Sequence, residues 1–428
     1  MLNGVDMDIL VIGGGGREHA IIKKLKQSPL CGKIYALPGN GGIAEDAVCV
    51  PIAATDIAGI KAFASENHVD FAAVIPDDPL AMGLTDELRA MGIPCFGPSK
   101  AAAIIESSKA FSKELMKRYG IPTAPFETFS DYDEAIKHLE NHSLPVVIKA
   151  DGLALGKGVI IANTLDEAKT AVKNMMLDGA FGHSGDRVVI EDFLVGPEIS
   201  LLVFTDGKSA ALMPASMDHK RIGDGDTGKN TGGMGAVAPN PYFTDEVRAE
   251  TTENIIIPTL EAMKKEGRTF KGCLYFGLML TKNGVKVIEY NCRFGDPETQ
   301  AVLPLMESDL LETMLAVEEE RLCKAEVRFS DKFACSLVLA SGGYPEKYEK
   351  GKEIIFDNFP GNIEVFHAGT KQENGKMLTN GGRVLGLNAV RDTLREAVAA
   401  CYEAAEHVSF ENKYMRNDIG KLALEAID

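Results

Sequence analysis

The chain has no apolar run approaching the roughly 18 residues that a bilayer span needs, and its first residues lack the basic, apolar, small-residue order of a secretion signal. These absences argue against a helical membrane protein or a secreted one, and predict a cytoplasmic location with no membrane partner. Its eight cysteines, at 31, 49, 95, 273, 292, 323, 335 and 401, form no Cys-x-x-Cys pair and have no His nearby at metal spacing. That gives no signature of a cysteine-based metal site and predicts that most are small buried thiols kept reduced. Basic excess is missing too: 45 Lys and Arg stand against 62 Asp and Glu, a formal charge of −17. This argues against a nucleic-acid partner, and any phosphorylated ligand must be held by a local cluster of cations and backbone amides. Repeats and low-complexity tracts are also absent. What is present is 428 residues, 45% hydrophobic and 25% charged, an ordinary globular composition with room for two to four domains.

Short apolar runs alternate with helical patterns through the first hundred residues, which predicts a parallel sheet built from βαβ units. Strands are expected over 8–12, 33–37 and 71–75, with a helix over 18–26. A helix over 109–119 then leads into Gly120-Ile121-Pro122-Thr123-Ala124-Pro125, whose two prolines mark a boundary. Beyond it an α+β segment is expected, with strands over 146–149, 159–162 and 187–193 and a helix over 165–177. A long irregular loop over 218–236 follows, then a helix over 246–266 and two strands ending at Arg293. The last hundred residues should carry strands near Ser336, Val365 and Val384 and a helix over 393–406.

The most informative stretch is Val287-Ile288-Glu289-Tyr290-Asn291-Cys292-Arg293-Phe294-Gly295-Asp296-Pro297-Glu298. Alternate residues of a strand share a face, so Glu289, Asn291 and Arg293 point one way and Ile288, Tyr290 and Cys292 the other. Carboxylate and amide oxygens suit Mg²⁺ shared with substrate phosphates, and a guanidinium suits a transferring phosphoryl group or a developing oxyanion. A solvated polar face on a half-exposed strand fits the same pattern.

Three further motifs bear on the choice. The glycine turn Gly13-Gly14-Gly15-Gly16, between a strand and a helix, lets backbone N–H groups approach a phosphate. The third glycine of a dinucleotide fingerprint would fall at Glu18, and the second strand ends in Leu37-Pro38-Gly39-Asn40 without the acid that grips a ribose. A small phosphorylated sugar fits better, and a dehydrogenase is disfavoured. Lys149 ends a buried-type strand before a loop holding Gly152, Gly156, Lys157 and Gly158, a hairpin suited to closing over phosphates although it lacks Walker spacing. Because Lys149 should be buried, it needs an anionic partner. The strand running into Glu191-Asp192-Phe193-Leu194 can offer backbone groups to a purine edge, and Glu198 can take ribose hydroxyls.

In this order the motifs resemble the ATP-grasp ligases, and within them the phosphoribosylamine–glycine ligases, over nearly the whole chain. The residues that carry the resemblance are Gly14-Gly15-Gly16-Arg17-Glu18-His19-Ala20, Pro38-Gly39-Asn40, Ile148 to Gly152 with Gly156-Lys157-Gly158-Val159, Asp218-His219-Lys220-Arg221, Asn230-Thr231-Gly232-Gly233-Met234-Gly235-Ala236, Glu289 to Gln300, and Thr379-Asn380-Gly381-Gly382-Arg383-Val384. The resemblance implies an α/β and α+β multidomain protein. Its parts would be an N-terminal Rossmann-like parallel-sheet domain (1–105), an ATP-grasp domain (106–329) with a small lid lobe at about 124–196 and a larger lobe at about 197–329, and a C-terminal mixed α/β domain (330–428).

It also implies ligation of glycine to 5-phosphoribosylamine, with ATP as co-substrate cleaved to ADP and phosphate through a glycyl phosphate. Lys109, Lys149, Gly156, Lys157 and Gly158 would hold ATP phosphates. Glu191, Asp192, Phe193 and Leu194 would read adenine, with Glu198 on the ribose. Glu289 and Asn291 would hold Mg²⁺ or Mn²⁺, and Arg293 with Lys149 would carry the catalytic charge. Gly14, Gly15, Gly16, Arg17, Glu18, Pro38, Gly39, Asn40, Asp218, Lys220, Gly232, Gly233, Asp296 and Arg383 would surround the other substrates, in a monomer or weak dimer.

Two departures from the family pattern stand out. Ile75-Pro76-Asp77-Asp78-Pro79-Leu80 replaces a Gly-Pro-Glu-x-Pro-Leu run, and the strand before Glu289, Tyr275-Phe276-Gly277-Leu278-Met279, lacks a second acidic metal ligand. An ATP-grasp carboxylase is the nearest rival reading, but it lacks the signature at 230–236. A catalytically silent relative would have lost Lys149, Glu289 or Arg293.

Overall fold

The computed structural model describes residues 6–153, 158–179 and 182–428. The N-terminal section is a five-stranded parallel sheet in the order Val48–Cys49, Cys31–Pro38, Met7–Gly13, Phe71–Val74, Cys95–Phe96. Its central strand reads Ile9-Leu10-Val11-Ile12 with every residue fully buried, because a parallel sheet is covered on both faces. The strand delivers the chain through the glycine turn directly into the helix Gly16–Leu25.

The helix Lys109–Tyr119 starts where Ser108 accepts a hydrogen bond from the Phe111 N–H and stops at Gly120, whose φ of +69° suits glycine. The next section is an antiparallel sheet ordered Phe126–Phe129, Val188–Asp192, Val146–Ala150, Val159–Ala162. Helices Tyr132–Leu139 and Leu165–Met176, capped by Asp131 and Thr164, cover it. They enclose a core of their own, including Ala135, Leu139, Val146, Ile148, Val172 and Ile190.

A second antiparallel sheet follows, ordered Ala210–Leu212, Glu198–Thr205, Gly272–Thr281, Gly284–Asn291. The helix expected over 246–266 is two α-helical pieces, Asp245–Thr251 and Ile257–Lys265, joined by a π turn at Thr252–Ile256. Pro258 explains the break, since it has no N–H to give to the carbonyl four residues back.

The irregular loop expected over 218–236 is instead ordered β-structure. It contains the hairpin Arg221–Gly223 and Thr227–Asn230, flanked by strands Met217–Asp218 and Gly235–Ala238. Those flanking strands extend the C-terminal sheet, ordered Met217–Asp218, Gly235–Ala238, Phe333–Ser341, Arg383–Arg391, Glu364–His367. Segment 217–238 thus shares a sheet with residues beyond 330.

The N- and C-terminal sections meet at two histidines. The His367 N–H donates to His19 Nδ1 at 2.8 Å while His19 Nε2 donates to Asp46 at 3.0 Å, so His19 is neutral with its hydrogen on Nε2. Burial holds His19 below the ordinary histidine range, and burial with the neighbouring His19 and Lys23 lowers His367 to about 3. The unfolded chain therefore binds more protons than the folded one below pH of about 6.5. Stability present above that value is lost as pH falls toward 3. His367 alone should lower the unfolding free energy by about 1.4 kcal/mol between pH 7.5 and 5.5. Urea titrations at the two pH values check this, and His367→Gln should flatten the difference.

Candidate active site

Glu289 and Asn291 lie on the strand Gly284–Asn291, opposite Gly277 and Tyr275 of the neighbouring strand. The pattern read from the sequence holds for the residues that matter: Tyr290 and Cys292 are buried, while Glu289, Asn291 and Arg293 are half-buried on the other face. A Cβ at Gly277 would stand 2.9 Å from Glu289 Cγ, so the Glu289 side chain lies across that position. This accounts for the missing second acid, since any side chain at 277 would displace the carboxylate. Burial pushes the Glu289 carboxyl up, but the charges of Lys220, Lys149, Lys109 and Arg293 outweigh it and hold it below the usual range. An ionised carboxylate beside an amide oxygen is a hard donor set that fits Mg²⁺ or Mn²⁺. Among the described residues no cluster of three or more His, Cys, Asp or Glu is arranged to bind metal by itself.

Arg293 sits just past the strand end. Its Nη2 is 3.1 Å from Glu106 Oε1, and Glu106 Oε2 accepts the Cys292 N–H at 2.7 Å. One buried carboxylate thus fixes both the guanidinium and the backbone that carries it, while Arg293 Nε is buried with no hydrogen-bond partner. Nothing local in the sequence singles out Glu106, which lies 187 positions from Arg293. The unusual run at 75–80 also comes here: a helix starts at Asp77, and the Asp77 charge acts on both Glu106 and Arg293.

Lys149 has the anion its burial requires, and that anion is Glu191. Lys113, which sequence reasoning missed, pairs with the other oxygen of the same carboxylate. All three side chains are within a few per cent of full burial. Burial raises the Glu191 carboxyl, and the two lysines overcome that and hold it low. Lys149 Nζ also donates to the Ile288 carbonyl at 2.9 Å, which ties it to the strand carrying Glu289. Lys109 Nζ donates to the Gly152 carbonyl at 2.7 Å. The Gly158 carbonyl accepts the Ala150 N–H at 2.8 Å, closing the base of the hairpin, whereas Gly156 and Lys157 lie outside the described residues. Along the edge at Glu191 to Val195 the Asp192 N–H is spent on Pro125 O at 3.0 Å, and Phe193 and Val195 are 38% and 74% exposed. Glu198 pairs with Lys220 at 2.8 Å.

The remaining residues converge from three sections. Gly14 abuts Gly39, where a Cβ would meet the Gly39 carbonyl at 2.3 Å. Asn40, next to Pro38, is fully engaged: its amide donates to Gly14 O and His367 O and accepts from Gly42 and Ile43 N–H. Glu18 accepts from Gly15 N–H at 2.6 Å and pairs with Arg17, which donates to Phe294 O at 3.0 Å. These contacts engage the Glu18 and Asn40 side chains with the turn, together with the Gly15 N–H and the Gly14 carbonyl. A Cβ on Gly15 would come within 3.5 Å of Asp296, and one on Gly16 within 2.8 Å of Gln300 Nε2. Gln300 Oε1 is buried and without a partner. Asp296 pairs with Arg383 at 3.2 Å, and Arg383 donates to Gly232 O at 2.6 Å. Gly233 packs against Pro297 and Asp218. Burial and the Glu298 charge push the Asp218 carboxyl well up. Glu298 and Gln300 lay in the motif read from the sequence without a role of their own, and Tyr344, whose hydroxyl accepts the Gly232 N–H at 3.0 Å, was not singled out.

This arrangement can be set beside known proteins. Models of the phosphoribosylglycinamide synthetase N, ATP-grasp (A) and C domains match residues 7–106, 107–299 and 334–422. The chain belongs to the phosphoribosylglycinamide synthetase family. It is 48% identical over 413 residues to the phosphoribosylamine–glycine ligase of Caldanaerobacter subterraneus subsp. tengcongensis, covering 96% of this chain and 99% of that protein. It is also 48% identical over 426 residues to a bifunctional purine biosynthetic protein of Pichia angusta, where it covers 98% of this chain but spans only 54% of the relative's length. Among solved structures, the phosphoribosylamine–glycine ligase of Thermotoga maritima superposes with a TM-score of 0.83 at 35% identity, covering 96% of this chain and all of that one. A Hydrogenobacter thermophilus biotin carboxylase domain, at 19% identity and a TM-score of 0.75 over 99% of this chain and 95% of that one, shares the fold. Family membership fits the four larger sheets, and no helix among the described residues is long and apolar enough to cross a membrane.

Proposed function

We infer that the protein joins glycine to 5-phosphoribosylamine with ATP as co-substrate, giving glycinamide ribonucleotide, ADP and phosphate through a glycyl phosphate. The observation that carries this reading is the convergence of Glu289, Asn291 and Arg293 with the glycine turn, Asp296 and Arg383, in a chain nearly coextensive with relatives of that name. The rival carboxylase reading draws only on a likeness of fold.

In this reading Lys149 and Lys109 hold ATP phosphates. The edge at Glu191 to Leu194 receives adenine, and Glu198 receives the ribose. Glu289 and Asn291 would hold Mg²⁺ or Mn²⁺, with water and phosphate completing the shell; the bound cation would neutralise charge on the phosphates. Arg293 faces the transferring phosphoryl group and the acyl oxygen, where a fixed guanidinium acts without reorganisation. The Gly14–Gly16 backbone at the start of the helix takes the sugar phosphate. Asp218, together with Glu298, provides carboxyl oxygens for an amino group, and Lys220, Gly232, Gly233 and Arg383 close that side. The protein acts as a monomer or weak dimer in the cytoplasm.

The test is phosphate release from Mg·ATP with phosphoribosylamine generated in the assay and each substrate omitted in turn. Release that needs both glycine and the amine is expected; ATP binding without such release would sink the reading.

A further inference from the structure

The segment 218–235 has two sides. One presents Asp218, Lys220, Gly232 and Gly233 to the candidate site; the other is gripped by the turn at 416–420 near the end of the chain. Arg416, 1% exposed and the largest fully buried side chain among the described residues, forks Asp418 through Nε and Nη2 at 2.7 and 2.8 Å. Its Nη1 donates to Asp226 at 2.7 Å and to the Arg221 carbonyl at 3.1 Å. Asp418 accepts the Gly225 N–H at 2.7 Å, and Asn417 donates to both oxygens of Asp224 at 2.8 and 2.9 Å. The Tyr414 hydroxyl donates to Ile222 O at 2.7 Å. Closest to the site, Gly420 N–H donates to His219 Nε2 and His219 Nδ1 donates to Gly235 O, both at 3.1 Å, which makes His219 a neutral strut between Asp218 and Lys220. The turn is itself held: the Tyr402 hydroxyl donates to Arg416 O and accepts the Ile419 N–H.

These contacts matter because the segment cannot order itself. Residues 221–230 include Gly223, Gly225 and Gly228, and most are exposed or half-exposed and polar. Glycine-rich polar chain loses much entropy on ordering and buries little apolar surface in return. A forked, charge-assisted guanidinium supplies both direction and strength. The nucleotide contacts proposed above at Lys149 and 191–194 do not touch the turn, and Glu198 meets the segment through Lys220, at 2.8 Å.

We propose that the 416–420 turn is a clasp that sets Asp218 and Lys220 in place before substrates arrive, with Arg416 as a positioning residue for glycine and phosphoribosylamine rather than for ATP. The proposal rests on the site reading given above. Two variants test it: Arg416→Lys, which keeps the charge but not the fork, and Asp224→Ala, which removes an exposed link with little risk to folding. Hydrogen exchange in the substrate-free protein is expected to speed up at 219–230 in both, by about tenfold or more in Arg416→Lys, while the 146–150 strand is unchanged. In steady-state assays the KM for glycine should rise about tenfold with the KM for ATP within about twofold, because ordering the segment becomes a cost of substrate binding. Unchanged exchange at 219–230 in folded Arg416→Lys and in Asp224→Ala overturns the clasp, and so does an equal rise in both KM values. Should Arg416→Lys fail to fold, Asp224→Ala decides. Absence of glycine-dependent turnover in the unmodified protein would count against the site reading instead, and the exchange measurement would still decide the clasp.

Discussion

Glu289→Ala is expected to abolish turnover, by on the order of 10³-fold or more in kcat, while the far-ultraviolet circular dichroism of the protein stays unchanged. The physical basis is that a cation bridging phosphates supplies several kcal/mol of charge stabilisation, and Glu289 is its one proposed anionic protein ligand. The strand itself does not depend on that carboxylate, since its order comes from pairing with Gly272–Thr281 and from Val285, Val287 and Tyr290 beneath it. Glu289→Gln keeps the shape and one oxygen, so it should retain more activity, recoverable in part by raising Mg²⁺. Both variants are read by phosphate release across a metal titration. Turnover at the unmodified rate in Glu289→Ala would remove the metal assignment.

The second large effect falls on Arg293. Arg293→Ala should lower kcat by about 10³-fold and leave the KM for ATP nearly unchanged, the signature of a contact made in the transition state alone. Arg293→Lys should recover little, because an ammonium cannot reproduce the fork that meets Glu106 on one side and substrate on the other. Glu106→Gln extends the test: the Cys292 N–H and the guanidinium meet different oxygens of Glu106, so Gln turns an NH2 donor toward one of them and loses the charge, and a loss of about 10- to 100-fold in kcat is expected, as for partners that orient a ligand. A raised KM for ATP with unchanged kcat in Arg293→Ala would make Arg293 a ground-state binder instead.

Much of the architecture was legible because its signals are local. The fully apolar strand at Ile9 to Ile12, the helix Lys109–Tyr119 between Ser108 and Gly120, and the alternation around Glu289 each follow from a few adjacent residues. The 218–236 segment misled for the opposite reason. Its glycines and charges read as an irregular loop, yet it is a hairpin because Arg416, Asn417 and Asp418 meet it from nearly two hundred residues away. The need of Lys149 for an anion was readable, but not that Glu191 would provide it, nor that Lys113 would share it. Asn40 and Glu18 were read as ligand contacts, and the structure spends both side chains on holding the glycine turn.

The sequence by itself determined the N-terminal parallel sheet, the residue types of the site and the resemblance to one ligase family, because periodicity, turn chemistry and motif spacing act over a few residues. Tertiary structure alone decided which charges neutralise one another, with Glu106 on Arg293, Glu191 on two lysines and the Arg416 turn on the segment at 218–235. Coulomb energy and hydrogen bonding depend on distance in space, and a chain can bring any two of its positions within 3 Å once its cores have packed.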